Sequence, residues 1–103
     1  MRQIATGESP VHGTGVFAKE TLKTGDYIGR YHGYRTEEDS MYTLWVEHSR
    51  GERGYFGTGR LRHLNHSKRP NAEFESRDLY ATRRIESGDE ILIDYGEEWA
   101  DVP

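Results

Sequence analysis

The chain has 103 residues, 18 of them acidic and 14 basic, a formal net charge of −4 and no cysteine. That length holds one domain (residues 1–103) around one modest core, and the missing cysteines remove disulfides, a cysteine zinc site and a thiol nucleophile together. Apolar residues make up 33% of the chain and charged ones 31%, so turns and surface dominate, while seven Tyr, three Phe and two Trp supply enough bulk to argue against disorder.

Taken in chain order, Ser9-Pro10-Val11-His12-Gly13-Thr14-Gly15-Val16-Phe17 places two glycines, one residue apart, just before a strand. Glycine lets a backbone approach a ligand closely, but a plain turn has the same composition, and the third glycine and following helix of a dinucleotide fingerprint are missing. Val16–Ile28 then matches Leu79–Ile91 at a constant offset of 63 residues, with Gly25-Asp26 against Gly88-Asp89 and Gly33 against Gly96. Each copy reads as a strand, a polar bend, a Gly-Asp turn and a second strand. The match predicts two related β units flanking a variable middle, although chance likeness of strand–turn–strand units gives a similar pattern.

In that middle, Thr36-Glu37-Glu38-Asp39 resembles a capping box and predicts one helical turn. Tyr42–Val46 reads as a strand with Tyr42, Leu44 and Val46 on one face and Thr43 and Trp45 on the other. Residues 49–54 read as a loop or hairpin tip, and Ala72–Ser76 as a half-exposed strand. No segment carries a long helical period, so the fold class is mainly β, built from short strands with short helical turns only. No apolar run approaches the ~20 residues of a membrane span, and no signal-peptide core is visible at the N-terminus. A soluble intracellular protein is expected, cytoplasmic, or nuclear if its source is eukaryotic.

Leu64-Asn65-His66-Ser67-Lys68-Arg69-Pro70-Asn71 is the most informative stretch. Pro70 fixes its own φ and restricts Arg69, so the loop after His66 is held in shape, as positioned ligand contacts require. Asn65-His66-Ser67 also fits a glycosylation acceptor, and His63 with His66 could in principle ligate a metal, though neither has a well-spaced third partner. Ile91-Leu92-Ile93-Asp94-Tyr95-Gly96 is a buried strand ending in a turn, with a phenol at the strand end.

In this order, Gly13-x-Gly15, Tyr31-x-Gly33, Asn65-His66-Ser67…Pro70-Asn71 and Gly88-Asp89-Glu90…Asp94-Tyr95-Gly96 resemble the SET-domain protein lysine methyltransferases, over roughly residues 10–99. The chain looks like a minimal member without pre-SET or post-SET modules. The resemblance implies the SET fold: several small β-sheets wrapped around a C-terminal pseudoknot that brings Asn65-His66 beside Tyr95. It implies S-adenosylmethionine as methyl donor, leaving S-adenosylhomocysteine, with no metal. His12, Gly13, Thr14, Gly15, Val16 and Phe17 would line the cofactor through their backbone. Asn65 and His66 would hold its two ends, supported by Arg62 and Leu64, with Tyr95 and Trp99 completing the site. Tyr95 would be the catalytic tyrosine, and Tyr31, Tyr42, Ile93 and Trp99 would line the lysine channel.

Against that family's pattern, Lys68 replaces the cysteine that commonly follows Asn-His-Ser, and Tyr34 replaces the Glu that often follows Tyr-x-Gly. The insert between Tyr34 and Tyr42 is very short, so a second subunit, in a homodimer, is one way to complete the substrate groove. Ile93 stands where the family uses Phe or Tyr to limit product multiplicity, which predicts room for more than one methylation. The implied partner is a lysine-containing protein or peptide, expected to be basic because Glu37, Glu38, Asp39, Glu97, Glu98 and Asp101 supply negative charge, though a solvated acidic face has the same composition. No direct nucleic-acid contact is expected, since a basic stripe is lacking apart from Arg60, Arg62, His63, Lys68 and Arg69; a small β-barrel nucleic-acid binder has that cluster alone behind it. A catalytically weak SET-like binding or regulatory module is the alternative left open by the short insert.

Overall fold

Short strands broken by turn residues cannot build one broad sheet, and the computed structural model accordingly divides them among three small ones. It describes residues 2–96, Trp99 and Pro103. The strands are β1 (Ile4–Glu8), β2 (Thr14–Ala18), β3 (Tyr27–Arg30), β4 (Gly33–Thr36), β5 (Thr43–His48), β6 (Gly51–Gly57), β7 (Asn65–His66), β8 (Ala72–Glu75), β9 (Asp78–Ala81) and β10 (Glu90–Ile93), with one 3-10 turn at Arg60–His63. The sheets run β1-β2-β10-β7, β3-β9-β8 and β4-β6-β5. Every pairing is antiparallel except β7 with β10, where Asn65 lies opposite Leu92 and His66 opposite Ile93. That parallel pairing sets the 64–71 segment alongside the 90–96 segment, as the pseudoknot expectation requires.

The internal repeat acquires a physical form here. Gly25 and Gly88 both take left-handed φ, 90° and 94°. Lys23 N donates to Asp26 Oδ2 in one turn, and Glu86 N to Asp89 Oδ2 in the other. The two copies then bond each other reciprocally. Leu22 and Ile85 exchange both backbone hydrogen bonds; Gly25 N donates to Ala81 O while Gly88 N donates to Ala18 O. Leu22 and Ile85 are fully buried, and with Val16, Ile28, Leu79 and Ile91, three residues from each copy, they form the centre of the core. At about 25 cal/mol per Å² of apolar surface removed from water, this paired centre is the largest apolar contribution to stability that the fold offers.

Three local expectations need correction. Thr36–Asp39 is not a helical turn: β4 ends at Thr36 and its hydroxyl accepts the Glu38 N–H in a tight bend, a local bond that competes with helix formation. The 49–54 loop shrinks to the two residues Ser49-Arg50, because Gly51 at φ 114° turns the chain directly into β6. Ile4–Glu8 forms a strand that sequence reasoning missed, its residues being too small and polar to alternate visibly. The Tyr42–Val46 reading holds in register, shifted to begin at Thr43, with Leu44 packed on the core and Trp45 outward.

Candidate active site

The site forms where the 9–15 turn, β7 and the end of β10 meet. Ser9 starts it locally: its hydroxyl accepts the N–H groups of Val11 and His12, and its N–H donates to Gly13 O at 2.8 Å. Gly13 closes the turn at φ 44°, with nothing within 4 Å of where a Cβ would stand. Gly15 is glycine for a different reason. A Cβ there would lie 2.3 Å from Glu90 Oε2.

Glu90 is the hub that sequence reasoning missed. Its carboxylate accepts the Ser9 hydroxyl at 2.7 and 2.8 Å and Asn65 Nδ2 at 2.9 Å. Asn65 Nδ2 also reaches the carbonyls of His12 and Thr14, at 2.9 and 3.2 Å. One buried amide thus ties the glycine turn, β7 and β10 together. Asn65 is 6% exposed and its Nδ2 is bonded on three sides, which removes the glycosylation reading. No local signal in the sequence marks Glu90, since it reaches Gly15 only through the β2–β10 register, in which it lies opposite Phe17.

Asn71, also buried, fixes the neighbouring loop. Its Nδ2 donates to Glu90 O, its Oδ1 accepts Leu92 N, and Ser67 N donates to Ile93 O. The Pro70-Asn71 turn is therefore sewn along β10, as its sequence promised. His66 accepts the Tyr95 N–H on Nδ1 at 2.9 Å. That bond sets the backbone from which the tyrosine projects. His63, separately, meets the Tyr42 ring edge-on at 6.0 Å, and among the described residues no cluster of three or more His, Asp or Glu side chains that could hold a metal forms.

The Tyr95 hydroxyl donates to Leu64 O. Its ring lies 5.3 Å from His66 and 4.9 Å from Trp99, and His66 and Trp99 are 5.5 Å apart. Burial, and then the Glu90 charge, push the Tyr95 phenol above its ordinary value. At neutral pH it is a hydrogen-bond donor, not a base.

The remaining expected residues are placed as follows. Val16 is fully buried in the core, and the half-buried Phe17 ring packs on Gly7 of β1. Arg62 donates to the carbonyls of Thr58 and Gly59, bracing the 3-10 turn that delivers Leu64. Ile93 is half-buried against the core, and Tyr42 stands over Phe56 and His63. Tyr31 is not brought to an open channel. It is 5% exposed, donates to Tyr42 O at 2.5 Å and meets Phe74 edge-on, and burial foremost pushes its phenol up to about 12. Gly57 is glycine so that this hydroxyl can pass. Glu97, Glu98 and Asp101 lie outside the described residues.

A protein-family model described as the SET domain matches residues 13–96. Among curated proteins, the chain is 31% identical over 123 aligned residues to the histone-lysine N-methyltransferase MEDEA of Arabidopsis thaliana, covering 97% of this chain and 18% of that protein. A crystal structure of a Plasmodium falciparum protein, provisionally assigned as a histone methyltransferase, superposes with a TM-score of 0.72 at 28% identity, covering 97% of this chain and 98% of that one. The polycomb repressive complex 2 of Chaetomium thermophilum superposes with a TM-score of 0.80 at 18% identity, covering 93% of this chain and 15% of its counterpart. The chain thus spans about a fifth of MEDEA and less of the fungal subunit, and the fungal likeness bears on fold alone. With the paired β units, the Asn65–Glu90 hub and the Tyr95 phenol all inside the matched span, the chain belongs to the SET-domain family.

Proposed function

We propose that this domain transfers a methyl group from S-adenosylmethionine to the side-chain amine of a lysine in a basic protein, a histone tail being the class suggested by the names of its relatives. The observation that carries the proposal is the Tyr95 phenol bonded to the Leu64 carbonyl beside the His66 and Trp99 rings. The residues suit the cofactor: the turn at Gly13 leaves open space, and the clustered Tyr95, His66 and Trp99 rings, with the Glu90 charge felt at Tyr95, match a cation. When bound, the cofactor supplies a methyl group activated by positive sulfur. The protein's part is orientation and electrostatics rather than covalent chemistry.

Asn65, His66 and the 12–17 backbone would hold the cofactor. Tyr95 and Leu64 O would orient the incoming amine and methyl carbon, the carbonyl accepting weak C–H contacts. The amine must lose its proton before its lone pair attacks; free lysine has a pKa of ~10.4, lowered by an aromatic, partly dry surround and a nearby cation. In this conformation Tyr31 braces Tyr42, and Tyr42 with Trp99 is left to wall the channel. If the source is eukaryotic, a histone substrate places the protein in the nucleus rather than the cytoplasm.

Transfer of a labelled methyl group to lysate proteins tests the activity. Tyr95→Phe should cut turnover by roughly 100-fold, within the range of a positioned hydrogen-bonding group, while calorimetry finds cofactor affinity nearly unchanged. Wild-type turnover in Tyr95→Phe would remove the catalytic role, and intact cofactor binding with no transfer would favour the binding-module alternative. For Ile93, mass spectrometry should find di- or trimethyl-lysine at long reaction times. Monomethyl product alone after full turnover rules out the added room.

A further inference from the structure

A groove of about 410 Å³ lies beside the 3-10 turn, floored by Ile4 and Leu61 and walled by Arg30, His32, Arg60 and Arg62. Three observations set it apart from an ordinary solvated surface. First, its guanidinium groups are held in place: Arg60 Nη1 donates to Ile4 O at 2.8 Å, and Arg62 Nη1 to Gly59 O at 2.9 Å. The other nitrogens of each have no hydrogen-bond partner among the described residues. Second, neither Arg60 nor Arg62 pairs with a carboxylate among the described residues, and of the groove's cations only Arg30 does, with Asp78 at 3.4 Å. In a chain with more acidic than basic residues, an unneutralised convergence of arginines runs against the average. Third, Gly59 admits the His32 ring close to the turn: a Cβ there would lie 3.3 Å from His32 Cβ and 3.6 Å from its Cδ2. The imidazole, itself exposed, thereby stands against the turn.

We infer that this groove is a docking site for a short acidic peptide of a partner, whose carboxylates engage the free edges of Arg60 and Arg62. Guanidinium forks match carboxylate geometry bidentately. The groove admits one or two side chains, not a duplex, which favours a carboxylate peptide over nucleic acid. The site lies on the turn leading into Leu64 and Asn65, and its existence does not depend on methyl transfer.

Titrating the full-length ¹⁵N-labelled chain with a glutamate-rich hexapeptide tests the site. Amide shifts should concentrate in residues 30–32 and 58–62 and weaken with added salt. A glutamine-substituted peptide should leave them unmoved. Arg60→Gln should weaken binding by about tenfold, the scale of one charge-assisted hydrogen bond. If that variant melts early, Arg30→Gln and His32→Gln probe the opposite wall without touching the Ile4 carbonyl. Absent shifts at these residues, equal shifts with the glutamine peptide, or wild-type affinity in all folded variants overturn the assignment. Tighter binding of a phosphoserine peptide or an RNA oligonucleotide at the same residues overturns its carboxylate chemistry.

Discussion

Gly13 and Gly15 carry the same letter for unrelated physical reasons, and the difference is measurable. At Gly13 a methyl group meets open space but the φ of 44° is left-handed, so Gly13→Ala costs about 1 kcal/mol of backbone strain and little else. At Gly15 the methyl would enter the space of Glu90 Oε2, a carboxylate held by Ser9 and Asn65. Gly15→Ala must therefore push Glu90 out of its cage and loosen the Asn65 amide with it. We expect cofactor affinity to fall by more than about tenfold in Gly15→Ala and by much less in Gly13→Ala, read by calorimetry at matched folded fraction. Equal losses would mean that the Glu90 hub does not support the turn. The sequence announced the two glycines and the Asn-His pair, but not the acid between them, because Glu90 is 25 residues from Asn65 and only the β2–β10 register brings it to Gly15.

Among the elements, the paired Gly-Asp turns show what repetition can and cannot convey. Their local form was readable, since Gly25 and Gly88 sit at matching offsets and each Asp side chain accepts an N–H three residues back. Their mutual bonding was not, because strand partners more than 60 residues apart leave no local trace and register is set by which faces are buried. The capping-box reading failed for the related reason that Thr36 found a nearer partner in Glu38. The reciprocal bonding makes a prediction. Gly25→Ala and Gly88→Ala place a side chain at φ near 90° with nothing to clash, so each should cost about 1–2 kcal/mol, or roughly 5–10 °C in melting temperature for a domain this size. Because both turns brace the same Leu22–Ile85 bridge, the double variant should depart from additivity by about 0.5 kcal/mol or more. Strict additivity in denaturant melts would show the two turns to be energetically separate.

For the molecule as a whole, two of the three sheets, β3-β9-β8 and β4-β6-β5, are joined by Tyr31, which leaves β3, packs on Phe74 of β8 and donates to the Tyr42 carbonyl ahead of β5. Its phenol is pushed up to about 12 by burial first and by Tyr95 second, with Arg62 opposing; Tyr95 is raised too, by burial and Glu90. In the unfolded chain both titrate near 10. Between pH 10 and 12 the unfolded chain has therefore released protons that the folded chain still holds. The native state binds more protons there, so unfolding free energy must fall as pH rises. The contribution is complete below pH 10 and lost as pH climbs through 12, amounting to at most about 3 kcal/mol for Tyr31 at 1.36 kcal/mol per pKa unit. Urea melts from pH 8 to 11.5 should show this decline in wild type. Tyr31→Phe should be less stable at pH 8, since the Tyr42 carbonyl loses its donor, yet its stability should fall less steeply above pH 10. Parallel pH profiles for the two proteins would mean that Tyr31 ionises as easily folded as unfolded, and that the bolt between the sheets is the ring alone rather than its buried hydroxyl.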